Sequence, residues 1–108
     1  WTEAARRGIS LESLLPLFTT GPARIAGVPG LGEIRVGARA NLTIVAPQTE
    51  WTVDAQRLLY RHKLSPWDGR RLRGVTSTTI VGGEIVYRAG DGDARARPGI
   101  EILMEVPA

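Results

Sequence analysis

The chain of 108 residues contains no cysteine and a single histidine, His62. Without thiols it can form neither a disulfide nor a thiolate metal site. A catalytic zinc site takes about three protein ligands, commonly histidines and carboxylates, and the cations Arg61 and Lys63 on either side of His62 disfavour a further positive centre. No apolar run approaches the roughly 20 residues of a membrane span. We therefore expect a globular, cytoplasmic protein without a membrane segment, in which His62 has a loop or packing role.

The charge is basic but small, at +3, and much of it lies in one stretch. Seven basic or potentially basic residues fall there: Arg57, Arg61, His62, Lys63, Arg70, Arg71 and Arg73. With Tyr60 and Trp67 nearby, the cluster permits a small β-rich interaction or RNA-binding domain. A net charge of +3 is nevertheless a weak electrostatic footprint for nucleic acid. We favour a solvated or interface-facing loop with internal acidic partners, and predict no nucleic-acid partner.

The N-terminal third predicts short helices. A first helix ends at Gly8, and Ser10 is a good N-cap for a second, because its hydroxyl can accept an otherwise unpaired backbone N–H. Pro16 removes a backbone donor and predicts a kink or an early end of that helix. A third helix is capped by Thr20 and followed by Gly27. One apolar face follows helical spacing in the second helix, so we expect the helices to pack through leucines: Leu11, Leu14, Leu15 and Phe18.

After Gly30 the pattern changes to β structure. Alternating and β-branched runs predict four strands of an antiparallel sheet: Ile34–Val36, Leu42–Val45 (ended by Pro47), Val75–Val81 and Ile85–Tyr87. Gly82 and Gly83 supply the positive φ angles that a tight hairpin turn requires. Trp51–Val53 is a short extended piece, and Ile100–Val106 could add a last strand.

The segment 54–74 between these strands is predicted to be a connecting loop. Asp54 can cap a helical turn over 55–59, and the dipeptides Ser65-Pro66 and Asp68-Gly69 are typical of turns. The fold class that follows from the whole pattern is α+β.

Each sequence pattern with catalytic or ligand-binding potential has a simpler interpretation. Ser65 lies near His62, but no glycine-framed nucleophile turn is present. Gly30 and Gly32 lack the third glycine and the strand-to-helix order of a dinucleotide loop. Asp91 and Asp93 lack the spaced carboxylates of a calcium loop. We therefore predict no catalytic, cofactor-binding or metal-ligating residue in this chain.

Three segments of the sequence resemble segments of a known family and occur in the same order along the chain. Arg61–Arg70 reads R-H-K-x-S-P-aromatic-x-G-R and is followed by Leu72-x-Gly74. This stretch resembles the segment with which cyclic amidohydrolases, allantoinases above all, re-enter their small β domain after the catalytic barrel. Pro22–Gly27 is similar to the "PA-R-I-x-G" turn of their last barrel helices. Gly32–Leu42 is similar to "G-x-I-x-x-G-x-x-A-D-L", with Asn41 in place of aspartate. Dihydroorotases have a related but less similar stretch.

This resemblance implies a fold and an activity for a larger protein. Residues 1–30 would be terminal helices of a (β/α)₈ barrel, and 31–108 the C-terminal part of a small composite β-sandwich. The chain begins at Trp1 in a helix already under way, so we expect a C-terminal fragment without catalytic residues. The family's metal-ligand residues lie upstream of Trp1 in its pattern.

The parent implied is an allantoinase that opens the hydantoin ring of allantoin to give allantoate in purine catabolism. It would use two divalent metals, often zinc, and form a homo-oligomer, here expected to be a tetramer. The alternative within the family is dihydroorotase of pyrimidine biosynthesis.

Overall fold

A computed structural model describes residues 1–58 and 60–91 of the chain. Three antiparallel strands form one sheet in the order β1-β2-β3, preceded by three short helices. The elements are α1 (Thr2–Arg6), α2 (Leu11–Phe18), α3 (Thr20–Ile25), β1 (Leu42–Thr52), a 3₁₀ turn (Ala55–Arg57), β2 (Arg71–Val81) and β3 (Glu84–Arg88). The predicted α+β class is confirmed.

The helix ends follow the predicted capping chemistry in most places. After α1, the Gly8 N–H donates to the Ala5 carbonyl at 3.1 Å and the Ile9 N–H to that of Ala4 at 2.9 Å. These two bonds satisfy carbonyls at the end of the helix. The Ser10 hydroxyl accepts the Ser13 N–H at 3.2 Å, which confirms Ser10 as the N-cap of α2.

Two helix predictions need correction. Pro16 does not end α2 early, because its fixed φ suits a helix. Proline has no N–H to donate to the Glu12 carbonyl, but Glu12 is exposed. The N-cap of α3 is Thr19 rather than Thr20. Thr19 holds the N-cap position only through its backbone. Its hydroxyl donates back to the Leu15 carbonyl of α2 at 2.7 Å and makes no capping hydrogen bond to α3.

The first strand is longer than predicted and contains a bulge. Ala46 pairs with Val75 and Glu50 with Arg73, so residues 47–49 lie opposite the single residue Gly74. Pro47 therefore does not end the strand, because it falls in the bulge of an edge strand, where its missing N–H costs no ladder bond. The extended piece predicted at Trp51 belongs to β1 as far as Thr52.

Two further β predictions need correction. Strand β2 starts at Arg71, so the last four residues of the predicted 54–74 loop are strand, paired with the far end of β1. Ile34–Val36 is not a strand, and Ile34 and Val36 are 88% and 100% exposed. An extended segment becomes a strand only through backbone pairing, and no strand in the described ranges pairs with this one. The predicted Ile100–Val106 strand lies outside the described residues.

The predicted hairpin between β2 and β3 is confirmed. Gly82 and Gly83 have φ angles of 59° and 87°, which match a primed two-residue turn. The Gly82 N–H donates to the Asn41 side-chain oxygen at 2.8 Å, and the Gly83 N–H to the Ala40 carbonyl at 3.1 Å. An aspartate oxygen could accept the same bond, which explains why Asn41 can stand at an aspartate position.

The buried core is very small. Among residues 1–58 and 60–91, only Val53 and Ala55 are buried. The expected packing of the helices through leucines is only partial, because Leu11 and Leu14 are half-buried whereas Phe18 on the same face is 70% exposed. The radius of gyration is 16.1 Å, whereas a compact domain of this length has about 13 Å. The apolar surfaces of the described chain therefore lack most of the partners that a stable domain needs.

We expect the isolated 108-residue chain to be poorly folded or to aggregate, because the described residues have a minimal core and no strand pairs with the outer edges of their sheet. Thermal unfolding followed by circular dichroism, together with sedimentation, measures this. A monomer that melts in one cooperative transition would contradict the expectation.

Candidate functional site

The 65–70 turn, at the centre of the motif Arg61–Arg70, is held by its own hydrogen bonds. The Asp68 N–H donates to the Ser65 carbonyl at 3.2 Å, and the Trp67 N–H donates to the Ser65 hydroxyl, also at 3.2 Å. Pro66 presets the φ angle that such a turn needs at its second residue. The Arg70 N–H closes the next turn on the Trp67 carbonyl at 2.9 Å. Serine and proline of the motif thus have local structural roles.

The same turn is fastened to the end of β1. The Asp68 carboxylate accepts the Ala55 N–H at 2.7 Å, and backbone bonds link Val53 to Gly69 at 2.9 Å and to Arg70 at 3.0 Å. These contacts surround Val53 and Ala55, the two buried residues. Asp68 therefore satisfies a backbone donor next to the core.

His62 and Ser65 do not form a catalytic pair. The Ser65 hydroxyl accepts a hydrogen bond from its own turn, and no hydrogen bond joins it to His62 in the described structure. His62 is exposed, and its backbone carbonyl accepts the Leu64 N–H at 2.8 Å. The arrangement lacks the oriented base that would activate a serine.

The basic cluster is partly compensated from within the chain. The Glu50 carboxylate lies 2.8 Å from the Arg71 guanidinium and 3.8 Å from that of Arg73. The Arg70 guanidinium stacks 5.2 Å above the centre of the Trp67 ring. The Lys63 ammonium donates to a backbone carbonyl, that of Leu58. Internal acidic partnering is thus confirmed for two of the arginines, although exposed pairs of this kind contribute only about 0–1 kcal/mol each.

The described residues do not fit a metal ion. No group of three or more His, Cys, Asp or Glu side chains comes together in residues 1–58 and 60–91. Asp91 is described, whereas Asp93 lies outside the described residues. No catalytic step through a metal can be built on these side chains.

The Gly30-x-Gly32 segment forms a packing turn. A Cβ at Gly32 would lie 2.6 Å from the Thr19 carbonyl oxygen and 2.9 Å from the Ala23 Cβ. The glycine is needed because the turn passes close to the junction of α2 and α3. This agrees with the prediction of a turn rather than a phosphate loop.

An open concavity of about 620 Å³ lies between α2, α3 and the turn that follows them. Its charged lining residues are Arg24 and Glu33, and the Glu33 carboxylate is paired with Arg35 at 2.5 Å. The remaining lining is small, apolar or neutral: Pro16, Leu17, Thr20, Gly21, Ala23, Gly27, Val28, Pro29, Gly30 and Leu31. No nucleophile and base converge among these described side chains, so the concavity has the character of a contact surface.

A contact that the sequence analysis missed links the first helix to the sheet. The Trp1 indole N–H donates to the Pro47 carbonyl at 2.7 Å, and the Arg73 N–H donates to the Thr2 hydroxyl at 2.8 Å. The glycine of the Leu72-x-Gly74 motif was the available signal, because glycine inside a strand often marks a bulge or a close approach.

No helix in the described ranges is long and apolar enough to span a bilayer.

Comparison with known proteins gives consistent relatives. The model of the amidohydrolase family matches residues 3–87. A dihydroorotase of Anaeromyxobacter dehalogenans is 42% identical over 80 residues, covering 74% of this chain and 18% of that protein. An allantoinase of Streptomyces avermitilis is 35% identical over 91 residues, covering 84% of this chain and 20% of that protein.

The solved structures include an L-hydantoinase (dihydropyrimidinase) from Arthrobacter aurescens, with a TM-score of 0.77 and 32% identity. The match covers 88% of this chain and 21% of that one. The chain thus spans about a fifth of the length of the relatives that it matches. Since the family model covers most of its residues, the chain belongs to the amidohydrolase family.

Proposed function

We propose that this chain is the C-terminal part of a metal-dependent cyclic amidohydrolase whose catalytic residues lie in the remainder of the enzyme. The observation that supports this most is the match of 88% of the chain to about a fifth of the L-hydantoinase, at 32% identity. So extensive a match to a fraction of one enzyme suits a segment that completes the fold of a larger protein.

The exposed surfaces of the chain support the same proposal. Ile25 is 87% exposed, Leu17 66% and Phe18 70%, and large apolar side chains exposed together on neighbouring helices are typical of a surface that contacts other protein. The sheet also has only three strands in the described residues. In the proposed enzyme, residues 1–30 complete the barrel and residues 31–108 the small β-sandwich, with residues 54–70 joining β1 to β2.

For the substrate we propose allantoin, whose hydantoin ring is opened by water to give allantoate. The C–N bond of the cyclic amide breaks, the carbonyl carbon becomes a carboxylate, and the nitrogen leaves with a proton from water. The R-H-K-x-S-P-aromatic-x-G-R form of Arg61–Arg70 supports this choice, as does the allantoinase relative, which aligns with 84% of the chain. The L-hydantoinase match adds support for a hydantoin ring.

Dihydroorotate is the second candidate substrate. It is favoured by the 42% identity to the dihydroorotase of Anaeromyxobacter dehalogenans, and dihydroorotases are named more often than allantoinases among the relatives. The described residues contain no converged site that could select between the two rings, so the substrate preference must reside elsewhere in the enzyme.

In this proposal the chain supplies structure and the remainder supplies catalysis. Divalent metal ions, with zinc as our first choice, would activate water and polarise the amide carbonyl when bound there. The full-length enzyme is proposed to be a cytoplasmic homotetramer acting on a small cyclic amide.

The substrate is tested by assaying the purified full-length gene product on allantoin and on dihydroorotate. We expect allantoin hydrolysis, seen as allantoate formation, and a much lower rate with dihydroorotate. The reverse preference would establish the dihydroorotase alternative. Activity on neither ring, with salt-sensitive binding of an oligonucleotide, would instead favour the interaction module.

Metal dependence is tested by chelation of the same product. We expect activity to disappear after chelator treatment and dialysis, and to return when Zn²⁺ is added. The 108-residue chain itself is expected to hold no stoichiometric zinc by elemental analysis. Stoichiometric zinc in the chain alone would contradict the assignment of the metal site to the remainder of the enzyme.

The absence of catalytic residues is tested by substitution in the full-length product. We expect His62→Ala and Ser65→Ala to leave kcat and KM within about twofold of wild type, because neither side chain faces a reacting group in the proposal. Asp68→Ala should lower the free energy of unfolding by about 1–3 kcal/mol, since the Ala55 N–H loses its acceptor. The matched variant Asp68→Asn retains an oxygen acceptor and should lose less. A loss of kcat above about a hundredfold in His62→Ala, with stability unchanged, would place a catalytic residue in this chain.

A further inference from the structure

The register of β1 with β2 shifts at two points, between Ile44 and Val45 and between Ala46 and Glu50, and at the second point side chains replace the missing ladder bonds. Opposite Gly74 the three residues 47–49 bulge out of register. The Gly74 carbonyl accepts the Trp51 indole N–H at 3.0 Å, and the Pro47 carbonyl accepts the Trp1 indole N–H at 2.7 Å. The backbone groups freed by the bulge are therefore satisfied partly from the residue that precedes α1.

The first part of β2 extends beyond its neighbour β3. Strand β3 pairs with residues 78–81 of β2, and the Ala89 N–H adds one bond to the Ser77 carbonyl at 2.9 Å. Residues 71–76 thus have β1 on one side and no strand on the other within the described sheet. An open strand edge of this kind is a template for unwanted pairing unless something covers it.

Thr2 occupies the place of a strand partner at this edge. Its hydroxyl accepts the Arg73 N–H at 2.8 Å and lies 3.4 Å from the Arg73 carbonyl oxygen, to which it can donate. One hydroxyl can therefore hydrogen-bond both the N–H and the carbonyl of a single β2 residue. The two residues are 71 positions apart in the chain, so the contact is purely tertiary.

The Trp1 ring fits against Gly74 because that residue has no side chain. A Cβ at Gly74 would lie 3.0 Å from the Trp1 Cδ1 atom, and its φ of 96° is one that other residues rarely adopt. Both the bulge geometry and the indole contact therefore require glycine, which gives the Leu72-x-Gly74 motif a physical reason.

We propose that Trp1, Thr2 and Gly74 form a latch that holds α1 against the sheet and caps the open edge of β2 at Arg73. The contact of α1 with β2 is the main one between a helix and a strand in the described part of the chain. Release of the latch exposes that edge and frees the helical segment from the sheet. The latch is a conformational device of the fold, and it does not depend on which cyclic amide is the substrate.

Hydrogen–deuterium exchange of the full-length product tests the latch, read on peptides covering 71–76 and 78–88. We expect Thr2→Val, which keeps the side-chain shape but removes the hydroxyl, to speed exchange over 71–76 about three- to tenfold. Exchange over 78–88 should stay at the wild-type rate, because the β2–β3 hairpin has its own backbone bonds. Thr2→Ser retains the hydroxyl and should exchange like wild type.

A second pair of variants tests whether the response over 71–76 is specific to a change within the latch. Gly74→Ala introduces a Cβ against Trp1 and should speed exchange over 71–76. Gly90→Ala meets nothing within 4 Å at a φ of 95°, so it matches the strain without the contact and should leave 71–76 unchanged.

Unchanged exchange over 71–76 in Thr2→Val, or an equal rise over 71–76 and 78–88 in that variant, would overturn the latch. Exchange needs no substrate, so a product inactive on both amides would refute the proposed function and still report on the latch.

Discussion

The pairing of β1 with β2 is the interaction on which the rest of the described structure depends. Only Val53 and Ala55 are buried among the described residues, so apolar packing contributes little to the organisation of this described part. The backbone ladder instead brings residues 42–52 against residues 71–81. The buried pair, the 65–70 turn and the latch all lie at or near the far end of this ladder. Each of these features follows from a pairing between segments about 30 residues apart.

The structural role of the family motif around Ser65, Trp67 and Asp68 depends on that pairing. Its residues include types used in catalysis, yet the structure uses them to hold a turn and fasten it beside Val53 and Ala55. Asp68 supplies an acceptor for a backbone N–H that sits next to the small core, where an unpaired donor costs most. A motif that identifies a family can therefore report a structural requirement of the fold.

The exposed apolar side chains and the minimal core of the described residues agree with the proposal that this chain packs against the remainder of a larger enzyme. The comparisons agree with this, because the matches cover most of this chain but only about a fifth of each relative. It also accounts for the wrong expectation at Ile34–Val36. That segment has the alternation of a strand, but pairing rather than alternation makes a strand, and its partner is absent from the described sheet.

Local chemistry was sufficient for the features that depend on neighbours in sequence. Ser10 as a cap, Gly8 and Gly27 as helix ends, and the Gly82-Gly83 hairpin could all be predicted, because their hydrogen bonds join residues a few positions apart. The family could also be predicted, from the order of three short blocks.

The extent of β1 past Pro47, the strand character of 71–74 and the contacts of Trp1 and Thr2 were decided by tertiary structure alone. Pro47 is acceptable only because the bulge places it where no ladder bond is needed, and the bulge exists only once Gly74 lies opposite. The lack of a group of three or more His, Cys, Asp or Glu side chains in the described residues was likewise a matter of which side chains the fold brings together. By itself the sequence determined the local turns, the Ser10 cap of α2 and the family. The long-range backbone pairing decided where the strands end and what the motif residues do.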